Sequence, residues 1–424
     1  MKLKKDGYLP RLVDSKIEKY LHIFGAVLLE GPKWCGKTWT ALAHSNTVRY
    51  IMNPAVGVNY KEIAKIEPLL LLEGEEPVLI DEWQEVPTLW DVIRFEVDQE
   101  QRRGRFILTG STKPMVSDIA HSGAGRIAHI QMRPMSLFES GASTGKVSLS
   151  DILSGKNIRP SVSEINLMEL IEIVCRGGWP ASIHMPIEYA SHIPVQYIEA
   201  IAQTDMSQVD DVRRDPERVK KLLRSFARNN STIASNATLR RDLLEDGESL
   251  AQNTITSYVS ALSRLFVITE IPGWQPEARS RARVRISPKR MFSDPSLAVA
   301  ALRVGPEHLK YDLNTFGFLF ENLCIRDLLT YADTFDGAVY HYRDSNNYEA
   351  DVIIETKAGT WTAFEIKLGE HRVEEGVASL IALKKRVEVE NGKPPSSLCV
   401  ITGGGLAHRR DDGVYVVPIN ALRP

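Results

Sequence analysis

Cysteine is scarce: Cys35, Cys175, Cys324 and Cys399 are the only four in 424 residues. They are too scattered for a paired zinc motif and too few for a disulfide scaffold, so a reducing, cytoplasmic setting is expected. No run reaches the roughly 18 apolar residues of a transmembrane helix, and no membrane partner is expected. The start, MKLKKDGYLPRLVDSK, has the basic opening of a secretory signal but no apolar stretch behind it. Net charge is also nearly absent, with 52 basic against 54 acidic side chains. That balance excludes a uniformly cationic nucleic-acid coat and leaves room for a local basic patch. Hydrophobic residues make up 43% of the chain, which fits a globular protein, not a disordered one. At roughly 100–200 residues per domain, the length predicts about two to four domains.

Short apolar runs at 26–30 (AVLLE), 47–52, 77–80, 105–109 and 126–132 alternate with helix-compatible segments. This alternation predicts a parallel sheet covered on both faces. Residues 141–160, rich in Ser, Gly and Thr, read as an exposed loop. The stretches 166–174, 187–203, 217–230, 231–245 and 254–269 read as helices, and 279–292 reads as β-like. Three helices followed by a β-ribbon suggest a winged helix.

The strongest motif is Gly31-Pro32-Lys33-Trp34-Cys35-Gly36-Lys37-Thr38, with Trp39 next in line. It satisfies G-x-x-x-x-G-K-[ST] between a strand and a helix. The glycines let backbone N–H groups curl around phosphate oxygens, and the helix N-terminus adds its dipole. Lys37 is expected to reach the β- and γ-phosphates of ATP, and Thr38 to hold Mg²⁺. The run VLI delivers Asp81 and Glu82 at a strand end. Asp81 is expected to hold Mg²⁺, and Glu82 to polarise the attacking water as general base. ILTGS ends a third strand, with Thr109 and then Ser111 as candidates for contacting the γ-phosphate or its water.

LLEGPKWCGKT, VLIDEWQEVP and ILTGS, together with Gly125-Arg126 and Arg133-Pro134, resemble prokaryotic AAA-type ATPases of unknown function. The resemblance implies a role for Arg126 as an arginine finger, in cis or from a neighbouring copy; local pairing with a carboxylate is the alternative. Arg176-Gly177-Gly178-Trp179-Pro180 looks like the G-G-x-P element of that group, which implies that Gly178 and Pro180 report nucleotide state.

Arg279, Arg281, Arg283 and Arg285 alternate along RSRARVR, so a strand would project all four from one face. Lys289 and Arg290 extend the charge. The ribbon is read as a grip on a DNA or RNA backbone or as a charge-protected edge strand.

Asp351 and Glu365 lie equally far from Ala358, and a hairpin turning there sets them on neighbouring strands. Lys367 shares a face with Glu365. Two carboxylates and a lysine can bind Mg²⁺ and stabilise a pentacovalent phosphate. The pattern resembles the PD-(D/E)xK nuclease fold. That implies metal-binding roles for Asp351, Glu365 and Glu321, and a catalytic one for Lys367. Tyr342-Arg343-Asp344 also resembles a C-terminal domain of unknown function, the 4143 type, that accompanies these ATPases. A salt-bridged hairpin, or an inactive nuclease fold kept as a binding module, is the alternative.

The expected fold is a multidomain α/β protein. Its parts are a P-loop ATPase core at 1–150, a helical lid at 151–205, a winged-helix-like module at 206–290 and a restriction-endonuclease-like domain at 291–424. The expected activity is Mg²⁺-dependent ATP hydrolysis coupled to a DNA-binding or nuclease-like region. Regulation of a protein partner is the alternative, and a homo-oligomer is compatible with either.

Overall fold

The computed structural model describes residues 6–52, 59–113, 121–210, 212–245, 251–276, 287–344, 348–389 and 392–424. Arg279, Arg281, Arg283 and Arg285, the core of the expected basic ribbon, lie outside the described residues. The chain divides into two compact units: 1–134 with 204–213 and 259–267, and the remainder.

The first unit is built on β1 (Ala26–Glu30), β2 (Thr47–Tyr50), β3 (Val78–Asp81), β4 (Phe106–Gly110) and β5 (Ile127–Gln131), in spatial order β2-β3-β4-β1-β5. Every neighbouring pair is parallel. The apolar runs of β1, β3 and β4 are buried, as a sheet covered on both faces demands. One face packs Trp83, Leu89, Trp90 and Ile93. The other packs Ile17, Ala41 and Leu42. All five strands run the same way, so the loops after β1, β3 and β4 emerge at one edge. In open α/β sheets that edge is where ligands bind.

The second unit contains β6 (Val147–Ser148), β7 (Ser161–Ser163), β8 (Ile268–Ile271), β9 (Lys289–Phe292), β10 (Ala338–Arg343), β11 (Glu349–Glu355), β12 (Trp361–Lys367), β13 (Ser397–Thr402), β14 (Gly405–Arg409), β15 (Tyr415–Pro418) and β16 (Leu422–Arg423). Its large sheet has the order β10-β11-β12-β13-β15-β14-β7. The pairs β10–β11 and β11–β12 are antiparallel, whereas β12–β13 and β13–β15 are parallel. The parallel step from β12 to β13 is made by the helix Val373–Val389, whose Val377, Leu380, Leu383 and Val387 are buried.

The segment 141–160 is not the open loop expected from its composition. Val147, Leu149 and Ile152 are buried, β6 pairs with β16, and the helix Leu149–Leu153 gives the Ile152 carbonyl to the Ser397 hydroxyl at 2.8 Å. β7, from the expected lid, pairs with β14. Tertiary partners from the chain's far end override the local loop signal.

The helices Pro216–Arg228, Asn236–Glu245 and Gln252–Arg264 precede the antiparallel pair β8–β9. Lys289 and Arg290 do not extend an exposed cationic face. Arg290 is held by Glu270 at 2.8 Å and by Asn236 Oδ1 at 2.6 Å. Lys289 is buried, with partners given below.

Candidate functional site

The loop after β1 leads into the helix Lys37–Ala43 through Gly36, whose φ of 101° lies in the left-handed region. A glycine adopts that conformation without the Cβ penalty. At Gly31 a Cβ would overlap the Met132 carbonyl oxygen. The two glycines therefore shape the loop by backbone conformation and by close approach. Lys37 is buried, and its Nζ donates to the carbonyls of Gly31 at 3.0 Å and Pro32 at 2.8 Å. Lys33 pairs with Asp205 at 2.8 Å. Cys35 is buried, whereas Trp34 and Trp39 are exposed.

The ends of β3 and β4 meet beside this loop. Thr38 Oγ1 donates to Asp81 Oδ1 at 2.8 Å, and Thr109 Oγ1 donates to the same oxygen at 2.7 Å. Thr109 also accepts the Glu82 N–H at 3.0 Å. Ser111 Oγ donates to Glu82 Oε2 at 3.0 Å, and Gln84 Nε2 donates to that oxygen too. Glu82 sits at φ 60°, turning the chain back at the end of β3. Burial pushes the Asp81 carboxyl above its ordinary value, aided by the nearby Glu82 charge and opposed by the two threonine hydroxyls. A buried carboxylate raised in this way is stabilised by a cation. With the Thr38 hydroxyl on the same oxygen, the residues fit Mg²⁺ beside a nucleotide.

Two residues here carry no sequence motif. Arg11 is buried and clamps the loop, with Nη1 donating to the Cys35 carbonyl and Nη2 to the Arg133 carbonyl, both at 2.7 Å. Asp205, 172 residues from Lys33, is the other. Their partners are distant in sequence, so no local spacing announces them.

Arg126 is not brought to this site. It precedes β5, at the edge of the sheet opposite the phosphate loop, and its side chain pairs with Asp98 at 2.7 Å. A contact with nucleotide in cis is therefore corrected to a surface ion pair. Gly178 and Pro180 lie in the second unit. There the Gly178 N–H meets Asp294 Oδ2 at 3.0 Å, and its carbonyl accepts the Met135 N–H at 2.6 Å. Asp294 also takes Arg326 at 2.8 Å, and Arg326 pairs with Asp327 at 2.8 Å.

The second cluster lies in the large sheet. Val352 pairs with Phe364 and Ile354 with Thr362. This register is centred on Ala358 and, continued one step, sets Asp351 opposite Glu365. Glu321 comes from the helix Leu313–Ala332. The cluster is filled by ammonium groups. Lys289 Nζ lies 2.7 Å from Glu321 Oε1 and 3.5 Å from Asp351 Oδ1. Lys367 Nζ lies 2.9 Å from Glu365 Oε2. Asp351 Oδ2 accepts the Ile366 N–H at 2.8 Å, and Glu365 Oε1 accepts from Ser379 at 3.1 Å. Burial raises Glu321 to about 7 and Glu365 to about 8, the latter aided by the Asp351 charge. Burial pulls the Lys289 and Lys367 ammonium groups down, but the surrounding acids outweigh it and raise both above their ordinary value. Among the described residues no group of three His, Cys, Asp or Glu is placed to hold a metal ion. Glu321, Asp351 and Glu365, the expected metal set, thus gather in one cluster with Lys289 and Lys367 as their cationic partners. Sequence reading assigned Lys289 to the ribbon because its partners lie 32 and 62 positions away.

No helix among the described residues is long and apolar enough to cross a membrane. Residues 24–140 match an AAA domain family, 167–308 a domain of unknown function (DUF8612) and 316–422 a domain of unknown function (DUF4143). The chain is 25% identical over 358 residues to the uncharacterized proteins Rv2008c of Mycobacterium tuberculosis and Mb2031c of Mycobacterium bovis, covering 83% of this chain and 72% of each relative. Among solved structures it is similar to a Walker-type ATPase of Pyrococcus abyssi, with TM-score 0.43, 15% identity, and coverage of 72% of this chain and 98% of that one. It is also similar to RuvB of Thermotoga maritima, with TM-score 0.27, 16% identity, and coverage of 69% and 94%. The family matches agree with the parallel sheet and its strand-end cluster: residues 24–140 are similar to an AAA domain and residues 316–422 to a DUF4143 domain.

Proposed function

We propose that the chain hydrolyses ATP in an Mg²⁺-dependent reaction and uses its nucleotide state to control a C-terminal regulatory or interaction module. The observation that carries this reading is the hydrogen-bonded run from Thr38 through Asp81 and Thr109 to Glu82, beside Lys37. Thr38 and Asp81 are the residues to hold Mg²⁺, which when bound supplies Lewis-acid stabilisation of phosphoryl charge. Lys37 brings a cation to the β- and γ-phosphates. Glu82 accepts the proton of the attacking water, its carboxylate oriented by Ser111 and Gln84.

The interaction-module reading of the C-terminal region is favoured over a nuclease by one observation, the lysine-filled carboxylate cluster. The arginines at 279, 281, 283 and 285 remain the proposed contact to DNA or RNA, with affinity falling as salt rises.

The test separates binding from turnover. Lys37→Ala is expected to weaken ATP binding and remove most turnover. Glu82→Gln is expected to keep ATP binding and lose roughly 100-fold or more in kcat, the usual weight of a general base. Turnover unchanged in both variants would remove the loop and Glu82 from the reaction.

A further inference from the structure

The C-terminal cluster draws its acids from three separate elements. Glu321 lies on the helix Leu313–Ala332, Asp351 on β11 and Glu365 on β12. A fourth element enters between the first two: Lys289, the first residue of β9, is only 2% exposed. Its ammonium lies 2.7 Å from Glu321 Oε1, 3.5 Å from Asp351 Oδ1 and 3.5 Å from the Asp351 carbonyl.

We infer that Lys289 is the resident cation of this cluster, a covalently tethered ammonium that holds the place of a divalent ion and keeps the C-terminal domain free of catalytic metal. Magnesium needs close to six oxygens in regular geometry. Here both Asp351 oxygens, both Glu365 oxygens and one Glu321 oxygen already have donors. A dication entering beside Glu321 and Asp351 would also face the buried Lys289 charge at short range, in a poorly screened interior. A divalent ion and the lysine are therefore alternatives at one place. The lysine has the advantage of being attached to the chain and released from no solvent shell on each occasion. Buried carboxylates need a partner of this kind, because removing one member of such a set is strongly destabilising.

This inference goes beyond the ATPase reading, which stands or falls on Lys37 and Glu82.

The test titrates Mn²⁺ against the full chain carrying Asp81→Asn, which silences the nucleotide-site metal. Free Mn²⁺ is followed by electron paramagnetic resonance, with and without duplex and single-stranded oligonucleotide. The Lys289-containing chain is expected to show no Mn²⁺ site that depends on Asp351. Lys289→Met is expected to gain one, at least roughly tenfold tighter than any residual binding, and adding Asp351→Asn is expected to abolish it. Lys289→Ala provides a second opening of the same place, with circular dichroism showing that each variant is folded. A Mn²⁺ site in the Lys289-containing chain that Asp351→Asn removes, with or without oligonucleotide, overturns the inference without any Lys289 variant having to fold. So does a folded Lys289→Met or Lys289→Ala chain that binds no Mn²⁺.

Discussion

Thr109 donates its hydroxyl to Asp81 Oδ1 at 2.7 Å, and the same oxygen of Thr109 accepts the backbone N–H of Glu82 at 3.0 Å. One hydroxyl thus ties β4 to both acids at the end of β3. Sequence reading gave Thr109 a direct contact to the γ-phosphate or its water. The structure gives it a bracing contact within the protein, with its side chain fully buried. We therefore propose Thr109 as a positioning residue for Asp81 and Glu82.

Thr109→Val keeps the shape and removes the hydroxyl. The Glu82 N–H loses its partner, and Asp81 keeps only Thr38 of its two threonine donors. A lost buried hydrogen bond costs about 1–3 kcal/mol, and a general base that drifts loses efficiency. Steady-state kinetics are expected to show kcat falling about tenfold or more, with ATP affinity changed far less. Thr109→Ser restores the hydroxyl and is expected to restore most of kcat. A variant that loses ATP affinity while keeping kcat would assign Thr109 to nucleotide binding instead.

Arg11 supports the loop from outside the motif, through the carbonyls of Cys35 and Arg133. Arg11→Ala leaves both oxygens without these charged donors, at about 1–3 kcal/mol for each unsatisfied group. The expected outcome is a lower thermal midpoint for the first unit together with weaker ATP binding. Thermal melts with and without ATP and Mg²⁺ check it: the ligand-induced upward shift should shrink, because that shift follows affinity. An unaltered shift would show that the clamp is not needed to hold the loop in its binding shape.

The meeting of Thr38, Asp81, Glu82 and Thr109 at the candidate site was legible in the sequence because its parts are local: Gly31 to Thr38 is one loop, and Asp81, Glu82 and Thr109 lie at the ends of apolar strands. The Asp351–Glu365 neighbourhood was legible for the same reason, since a hairpin's register follows from its turn. Arg11, Asp205 and Lys289 were not legible, because each acts on a partner brought to it by tertiary folding. Lys289 was also misassigned, because its charge adjoins a run of arginines while its side chain points into the interior. The buried strand β6 and helix Leu149–Leu153 were hidden by a loop-like composition whose partners, β16 and Ser397, lie hundreds of positions away.

Gly178 is fixed by its neighbours. A Cβ there would overlap the Met135 carbonyl oxygen, and it would lie 2.8 Å from the Met135 nitrogen and 3.0 Å from Arg326 Nη1. The obstacle is backbone, so it cannot step aside as a flexible side chain would. Overpacking of this kind costs roughly 1–3 kcal/mol or more, and displacement of residue 178 would also disturb its bond to Asp294. Gly178→Ala is expected to lower the thermal midpoint of the second unit whether or not ATP is present. A variant with wild-type stability but altered ATP response would restore the role of nucleotide reporter that the family resemblance implied.

Glu365 makes the second unit's stability sensitive to pH. Its carboxyl is raised from 4.5 to about 8, first by burial and then by the Asp351 charge. The folded state therefore binds the Glu365 proton more tightly than the unfolded chain does. A raised pKa contributes stability that is fully present below the unfolded value, near 4.5, and is lost as pH rises through about 8. The steepest slope for one such proton is roughly 1.4 kcal/mol per pH unit. Glu321, raised to about 7, adds in the same direction. Glu365→Gln removes the first titration and leaves the second, so its stability is expected to fall less steeply between pH 5 and pH 8 than that of the native chain. Chemical denaturation across that range measures the slope directly, and equal slopes in the two proteins would show that Glu365 is already ionised at neutral pH through its pairing with Lys367.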